Sequence, residues 1–271
     1  MQLGQPEERL AWRELHTELL DQGRRGDAAH LVSASQRGTA RWLCAKGGWD
    51  YRVQFDAGEY QAALGIRLLM NPFPAAGNDS CRCMNPRIRY AEAPLHALGC
   101  QCNQIYRNMR HDQVRDHLLE LVKRLDKDAD VYKERWLEDG TGGQGKRCDI
   151  WYRKAGTVYV IDVSVVEPCS IAHLDKHSDR DEEAAAKVQE KVKQRHYEGC
   201  PILEEGGGAV LIPFVVESTG RMGPQARDFF DLVTKEQKLQ GSLFLDKMSA
   251  ALARATGRMI CASRKSLALC R

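Results

Sequence analysis

Val158 to Val166 is apolar at every position except Tyr159, Asp162 and Ser164. A run of this length, rich in β-branched residues and bounded by turn signals, predicts a strand buried on both faces. Cys148 to Trp151 forms a second extended run just before it, and Lys154-Ala155-Gly156-Thr157 supplies a turn. The two runs are therefore expected to form a hairpin. Val131 to Glu138 alternates and predicts a strand near a sheet edge, and residues 209–216 predict another buried strand, interrupted at Pro213. Helical spacing appears at 8–20, more weakly at 28–43, at 55–70 with Asp56 as N-cap, and most cleanly at 110–125. In that last stretch Val114, Leu118, Leu121, Val122 and Leu125 make one stripe, with His111 and Asp112 at the helix start. Glu167-Pro168 ends the long strand, residues 170–180 read as loop, and 181–197 reads as a helix. Pro224 marks the start of a helix to about Leu239; Gly241 is expected to break it before a last helix over 243–255. The expected fold is α/β, a mixed central sheet flanked by helices.

The chain has 271 residues, with 40 Lys plus Arg against 37 Asp plus Glu. So small an excess means that any basic surface must be local. The final stretch is one candidate, since Arg254, Arg258, Arg264, Lys265 and Arg271 have no acid among them. No apolar run approaches a membrane span and Met1-Gln2-Leu3 opens no signal peptide, so no membrane partner is expected and the expected location is intracellular. The ten cysteines then read as thiols and metal ligands of a reducing compartment.

Two groups of residues carry candidate chemistry. Asp162 is a carboxylate in a central strand, costly there unless paired or bound to a metal. Across the hairpin Asp149 can converge with it on a hard cation; pairing of Asp162 with a buried arginine, or capping of a loop, is the plainer account. The second group is Cys81, Cys83, His96 and Cys100, a donor set suited to tetrahedral Zn2+, with Cys102 competing for the place of His96. A site with four protein ligands is structural. The loop 140–145 lacks the spacing of a phosphate cradle. On the 181–197 helix Ala186, Glu190, Lys193 and Tyr197 share a face, with Lys187 and Lys191 elsewhere; charge-rich helices are ordinarily solvated.

The order of these motifs resembles a known domain. It runs from the Cys-x-Cys and His-x-x-x-Cys pair to Arg110-His111-Asp112, Glu134, Asp149-Ile150 and Ile161-Asp162-Val163-Ser164-Val165-Val166. It ends with Glu190-x-x-Lys193-x-x-His196-Tyr197. This is similar to the restriction-enzyme-like endonuclease at the C-terminal end of reverse transcriptases of site-specific non-LTR retrotransposons, within the PD-(D/E)xK nuclease group. The resemblance covers about residues 75–220. It implies a restriction-endonuclease-like core over 106–220, after a helical lead-in (1–74) and a zinc knuckle (75–105). Helices and a basic tail (221–271) follow that core.

The resemblance further implies that Asp149 and Asp162 hold Mg2+ or Mn2+ and that Lys193 positions the attacking water, with Lys191 as the alternative lysine. Glu134, Arg110, His111, Asp112 and Tyr197 would support them, and Cys81, Cys83, His96 and Cys100 would bind Zn2+. Arg110, Arg115, Lys123 and Arg124 are expected to contact phosphates. Implied partners are double-stranded DNA and the reverse transcriptase part of the same element with its RNA, in the nucleus. The sequence departs from the group at Cys148, where proline is usual, and at His196, where lysine is usual. The stretch 168–183 is long, and no polymerase motif lies upstream. The expected activity is metal-dependent endonucleolytic cutting of DNA for integration. Two alternatives stand beside it: a catalytically inactive zinc-containing nucleic-acid-binding remnant, and an interaction domain without a nucleic-acid role.

Overall fold

The computed structural model describes residues 6–36, 38–44, 54–72, 80–83, 88–138, 145–204 and 208–265. The Gly47-Gly48 pair, which reads as a turn in the sequence, most of the stretch 71–80, which reads as loop from its prolines, the 140–144 part of the glycine-rich loop and the end of the basic tail lie outside these residues.

Helices α1 (Pro6–Asp21), α2 (Arg25–Ala34) and α3 (Ala57–Arg67) come first. Asp56 caps α3 through a reciprocal box with Glu59, as its position predicts. The α2 helix ends at Ala34, well before Leu43; Gly38 beyond it takes φ 100°, and only a 3-10 turn at Arg41–Leu43 resumes coiling. A two-residue strand β1 (Ser80–Cys81) and a one-turn helix α4 (His96–Gly99) precede the long helix α5 (Gln104–Leu125).

The central sheet has four strands in the order β2 (Asp130–Trp136), β3 (Arg147–Lys154), β4 (Thr157–Val166), β5 (Ala209–Glu217). The first two pairings are antiparallel and β4 with β5 is parallel. The hairpin closes through Ala155 and Gly156, both left-handed (φ 47° and 84°), the backbone of a turn whose twist matches its strands. Between β4 and β5 the chain crosses over through the short α6 (Ile171–Leu174) and α7 (Ala184–Tyr197). Pro213 does not interrupt β5. The strand is at the sheet edge, and by alternation Pro213 faces outward like the Glu217 N–H and the Val215 carbonyl, which bond to Arg221 and Gly223 rather than to β4, so the missing N–H costs no ladder bond.

Alternation divides the sheet's side chains. Ile150, Tyr152, Ile161, Val163, Phe214 and Val216 pack with α5, with α8 (Pro224–Thr234) and with α9 (Lys238–Ser263). On the opposite face Trp151, Val158 and Val160 pack with Tyr197 of α7. Helices thus cover both faces, giving a mixed α/β architecture. Pro224 does sit at N1 of α8, but Gly241 breaks nothing. The break falls at 235–237, and Gly241 lies within α9, where a Cβ would meet Thr234 at 3.0 Å and Phe230 at 3.1 Å. The glycine serves close packing of α9 on α8.

A separate cluster joins α3 (Ala62, Ile66), the cysteine segment (Tyr90, Leu95, Leu98) and α9 (Met259, Ile260). Antiparallel pairing of β1 with β6 (Arg264–Lys265) ties the same segments together. The lead-in, the knuckle and the last helix therefore share a core although they are far apart in sequence. No described helix is long and apolar enough to cross a membrane.

Candidate active site and metal centre

The β2–β3 ladder pairs Lys133 with Ile150 and Arg135 with Cys148, which sets Glu134 across from Asp149. The β3–β4 ladder ends at Ile150 with Ile161, and one further step of that register sets Asp149 across from Asp162. Glu134, Asp149 and Asp162 therefore form a row of acids across three strands. The ladder gives way at this row: Glu134 is left-handed (φ 54°), a strained conformation for a residue with a Cβ. Past Ile150 the Asp149 carboxylate, rather than its main chain, meets β4. Its Oδ2 accepts from the Val163 N–H at 2.8 Å.

Helices bring further groups to the row from both sides. From α7, Lys193 Nζ donates to Asp162 Oδ1 at 2.9 Å, while Lys191 is exposed. From α5, His111 Nε2 lies 3.3 Å from Asp149 Oδ2 and 3.1 Å from the Val163 carbonyl oxygen, and Nδ1 lies 3.2 Å from Asp112 Oδ1. The Tyr197 hydroxyl donates to the Arg147 carbonyl at 3.1 Å. Glu190, on the same helix face, caps α8 by accepting from the Gln225 N–H at 3.0 Å.

The two aspartates are driven apart in acidity. Burial works to raise Asp149, but the His111 ring, the contact with Asp162 and the Val163 N–H outweigh it and hold the carboxyl below its ordinary value. Burial raises Asp162, and the neighbouring Asp149 charge adds to this, against the opposing pull of Lys193. Burial alone would lower His111; hydrogen bonding and charge from Asp149 and Asp112 leave it raised. Burial, then the Asp162 charge, raises the Tyr197 phenol, which stays protonated. Two adjacent carboxylates, one kept ionised and the other buried beside a single ammonium, make a donor set that fits a hard cation.

Three expectations are corrected. Arg110-His111-Asp112 does not open its helix, because α5 begins at Gln104, more than a turn earlier. Arg110 and Arg115 do not face solvent and are not placed to touch phosphates, being 2% and 5% exposed. Arg110 lies inward near Glu167, where burial lowers its pKa against the pull of that carboxylate. Arg115 Nη1 donates to Glu134 Oε1 at 2.6 Å and lies 3.0 Å from Asp112, so it holds the acids in place. Lys123 and Arg124 remain exposed, whereas Arg254 and Arg258 turn onto the buried Glu59. The Val163 main chain was invisible to sequence reasoning, since a peptide group carries no residue signature. Gln189, which donates to Ser164 Oγ at 3.4 Å, could have been found from its place one turn before Lys193.

At the second centre the donor atoms of Cys81, Cys83, His96 and Cys100 all lie within 4.8 Å of one another. Cys81 and Cys100 are 3.7 Å apart at sulfur, close to the edge of about 3.8 Å in a tetrahedron with Zn–S bonds of 2.3 Å. Cys83 Sγ is 3.2 Å from His96 Nε2. Cys102 approaches Cys81 at 3.5 Å and Cys100 at 3.3 Å. The four-residue set with His96 could hold a metal such as zinc.

No family model matches the chain, and no curated protein matches it significantly.

Proposed function

We propose that the chain is a metal-dependent DNA endonuclease with a restriction-endonuclease-like core that nicks or cleaves target DNA for retroelement integration. The observation that carries this reading is the convergence of Asp149, Asp162 and Lys193 from two strands and a helix, where the sheet ladder gives way. Asp149 and Asp162 would hold Mg2+ or Mn2+, which supplies neutralisation of phosphoryl charge and a more acidic bound water. Lys193 provides a donor beside that seat, able to orient the incoming water and to face charge developing on the phosphate. His111 fixes Asp149, and Arg115 fixes Glu134 and Asp112. Hydrolysis adds the water oxygen to phosphorus and breaks one P–O ester bond, the leaving oxygen taking a proton. Zn2+ on Cys81, Cys83, His96 and Cys100 is read as structural. Duplex DNA as substrate, a reverse transcriptase with its RNA as partner, and a nuclear location belong to this proposal.

The test is plasmid nicking by the purified full chain with Mg2+ or Mn2+, beside Asp149→Ala. Nicking by the wild type that the variant loses supports the reading. Equal nicking by both removes Asp149 from the chemistry. A DNA shift without any nicking would favour a binding remnant.

A further inference from the structure

Where the lead-in helices meet α9 and the chain just after β5, a cavity of about 30 Å³ lies between His30 of α2, Arg67 of α3, Ser218 and Thr256 of α9. The proposed reaction does not use it. Trp42, Ala63 and Ile66 give it an apolar wall. His30 and Thr256 are almost wholly buried, at 3% and 5% exposed. Both ring nitrogens of His30 and the Thr256 hydroxyl have no hydrogen-bond partner. Unpartnered polar atoms this deep are few in native folds and are commonly met by a bound water or ion.

Arg67 decides between water and ion. Its Nη1 donates to Thr39 Oγ1 at 3.1 Å and its Nη2 to the Ala34 carbonyl at 2.8 Å, both neutral acceptors. Among the described residues it pairs with no carboxylate, and burial lowers its pKa. The end of α3 offers it only the partial negative charge of a helix C-terminus. Water in the cavity would satisfy the hydroxyl and the ring but bring no charge, and a cation drawn out of bulk solvent without a counter-charge is costly. An anion answers both needs. It accepts from the Thr256 hydroxyl and from one ring N–H of His30, which burial and then the Arg67 charge keep neutral. The Ser218 hydroxyl interacts with Glu167, whose charge Arg110 offsets. The volume holds about two water-sized positions, so a halide fits and a phosphodiester does not.

We propose that His30, Arg67 and Thr256 bind one chloride-sized anion, which holds the lead-in helices α2 and α3 against α9. The site does not depend on the endonuclease reading, and its test does not read nicking.

The test is urea unfolding of the full chain near neutral pH, with metal as purified, in sodium chloride or in sodium gluconate of equal ionic strength. Gluconate gives the same screening and is too large for the cavity. A ligand bound only by the folded chain stabilises it by mass action, so between roughly 30 and 300 mM salt chloride should raise the folded-to-unfolded ratio about three-fold or more beyond gluconate. Arg67→Met removes the charge, and Thr256→Val removes the hydroxyl at nearly constant volume. Each should abolish the chloride increment and keep the gluconate response, while Thr256→Ser should keep both. Equal responses of the wild type to the two salts, or an increment that either folded variant retains in full, would overturn the site. The wild-type comparison stands even where a variant does not fold. Crystals soaked in sodium bromide locate the ion. An anomalous peak within hydrogen-bond reach of Arg67 and Thr256 is expected. Its absence would overturn the site, as would a peak without a chloride increment in solution, which would be an adventitious ion only.

Discussion

Lys193 meets Asp162 from a helix rather than from the strand that carries the acid, so its contribution can be separated from the sheet. Lys193→Met keeps the aliphatic stem and removes only the ammonium. A single donor aimed at developing charge is typically worth about 10²–10³ in rate, and a fall of that size in nicking is expected. Lys191→Met, altered at an exposed position, should change nicking by less than about two-fold. Similar losses in both would show general weakening of DNA binding rather than a role for Lys193. The buried pair is also broken, at a stability cost of about 3 kcal/mol, the low end for such pairs because Lys193 is partly solvated. Circular dichroism of the variant checks that it folds. His30 tests burial without catalysis. Both ring nitrogens are buried without a partner, and burial, followed by the Arg67 charge, pulls its pKa down to about 3. An unfolded histidine takes its proton near pH 6.5, so between about pH 6.5 and 3 the unfolded chain binds more protons than the folded one. Stability from this residue is therefore present above pH 6.5 and falls on acidification, by at most about 1.4 kcal/mol per pH unit. In urea titrations at pH 6.5 and 5, His30→Leu should lose less stability than the wild type over that interval. Equal losses would mean that His30 is already protonated in the folded chain.

Between elements, α3 and α9 cross at very close range at Gly257. A Cβ on Gly257 would stand 2.0 Å from the Glu59 carbonyl oxygen and 2.8 Å from its carbon. Backbone cannot give way as a side-chain tip can, so Gly257→Ala should cost about 3 kcal/mol despite the better helix propensity of alanine. Gly241→Ala meets only side-chain atoms at 3.0 Å or more, and the propensity gain of about 1 kcal/mol should leave it near neutral. Urea midpoints that rank the two variants alike would contradict the crossing geometry. Neither glycine announced its role in the sequence, because close packing of two helices leaves no local pattern. What was legible was local: the Asp56 box, the turn at Ala155-Gly156, and the apolar run with Asp162 as its exception. The start of α5, the continuation of β5 through Pro213 and the inward turn of Arg110 and Arg115 depend on neighbours distant in sequence. At the candidate site the residue types and their order were readable. Lys193 entered only as the resemblance's implication for the attacking water; its contact with Asp162 was not foreseen, and the pinning of Asp149 by a peptide group had no sequence signal.

Over the whole molecule the cysteine centre acts as a clasp between distant parts of the chain. Cys81 belongs to β1, which pairs with β6 beyond α9, and Tyr90 is hydrogen-bonded to Ser263 at the end of that helix. Met259 and Ile260 of α9 pack with Ala62 and Ile66 of α3 in the same cluster as Cys81 and Cys100. The β3–β4 hairpin lies in a different cluster, held by α5, α8 and α9 at Phe244, Met248 and Leu252. A structural metal contributes binding free energy directly to the fold that holds it, so its removal should act unevenly. Metal analysis of freshly purified protein is expected to find about one zinc per chain. Hydrogen exchange after chelation should then show lost protection in residues 88–103 first, spreading to the last two turns of α9 and to α3. Ile150, Val160 and Ile161 should keep theirs. Uniform loss across the chain would make the metal a requirement of the whole fold. No loss, or no bound zinc, would remove metal from the Cys81, Cys83, His96 and Cys100 set. Since Asp149 and Asp162 sit on the hairpin, partial chelation should, on the proposed endonuclease reading, lower the temperature at which nicking fails before it lowers the nicking rate at about 25 °C.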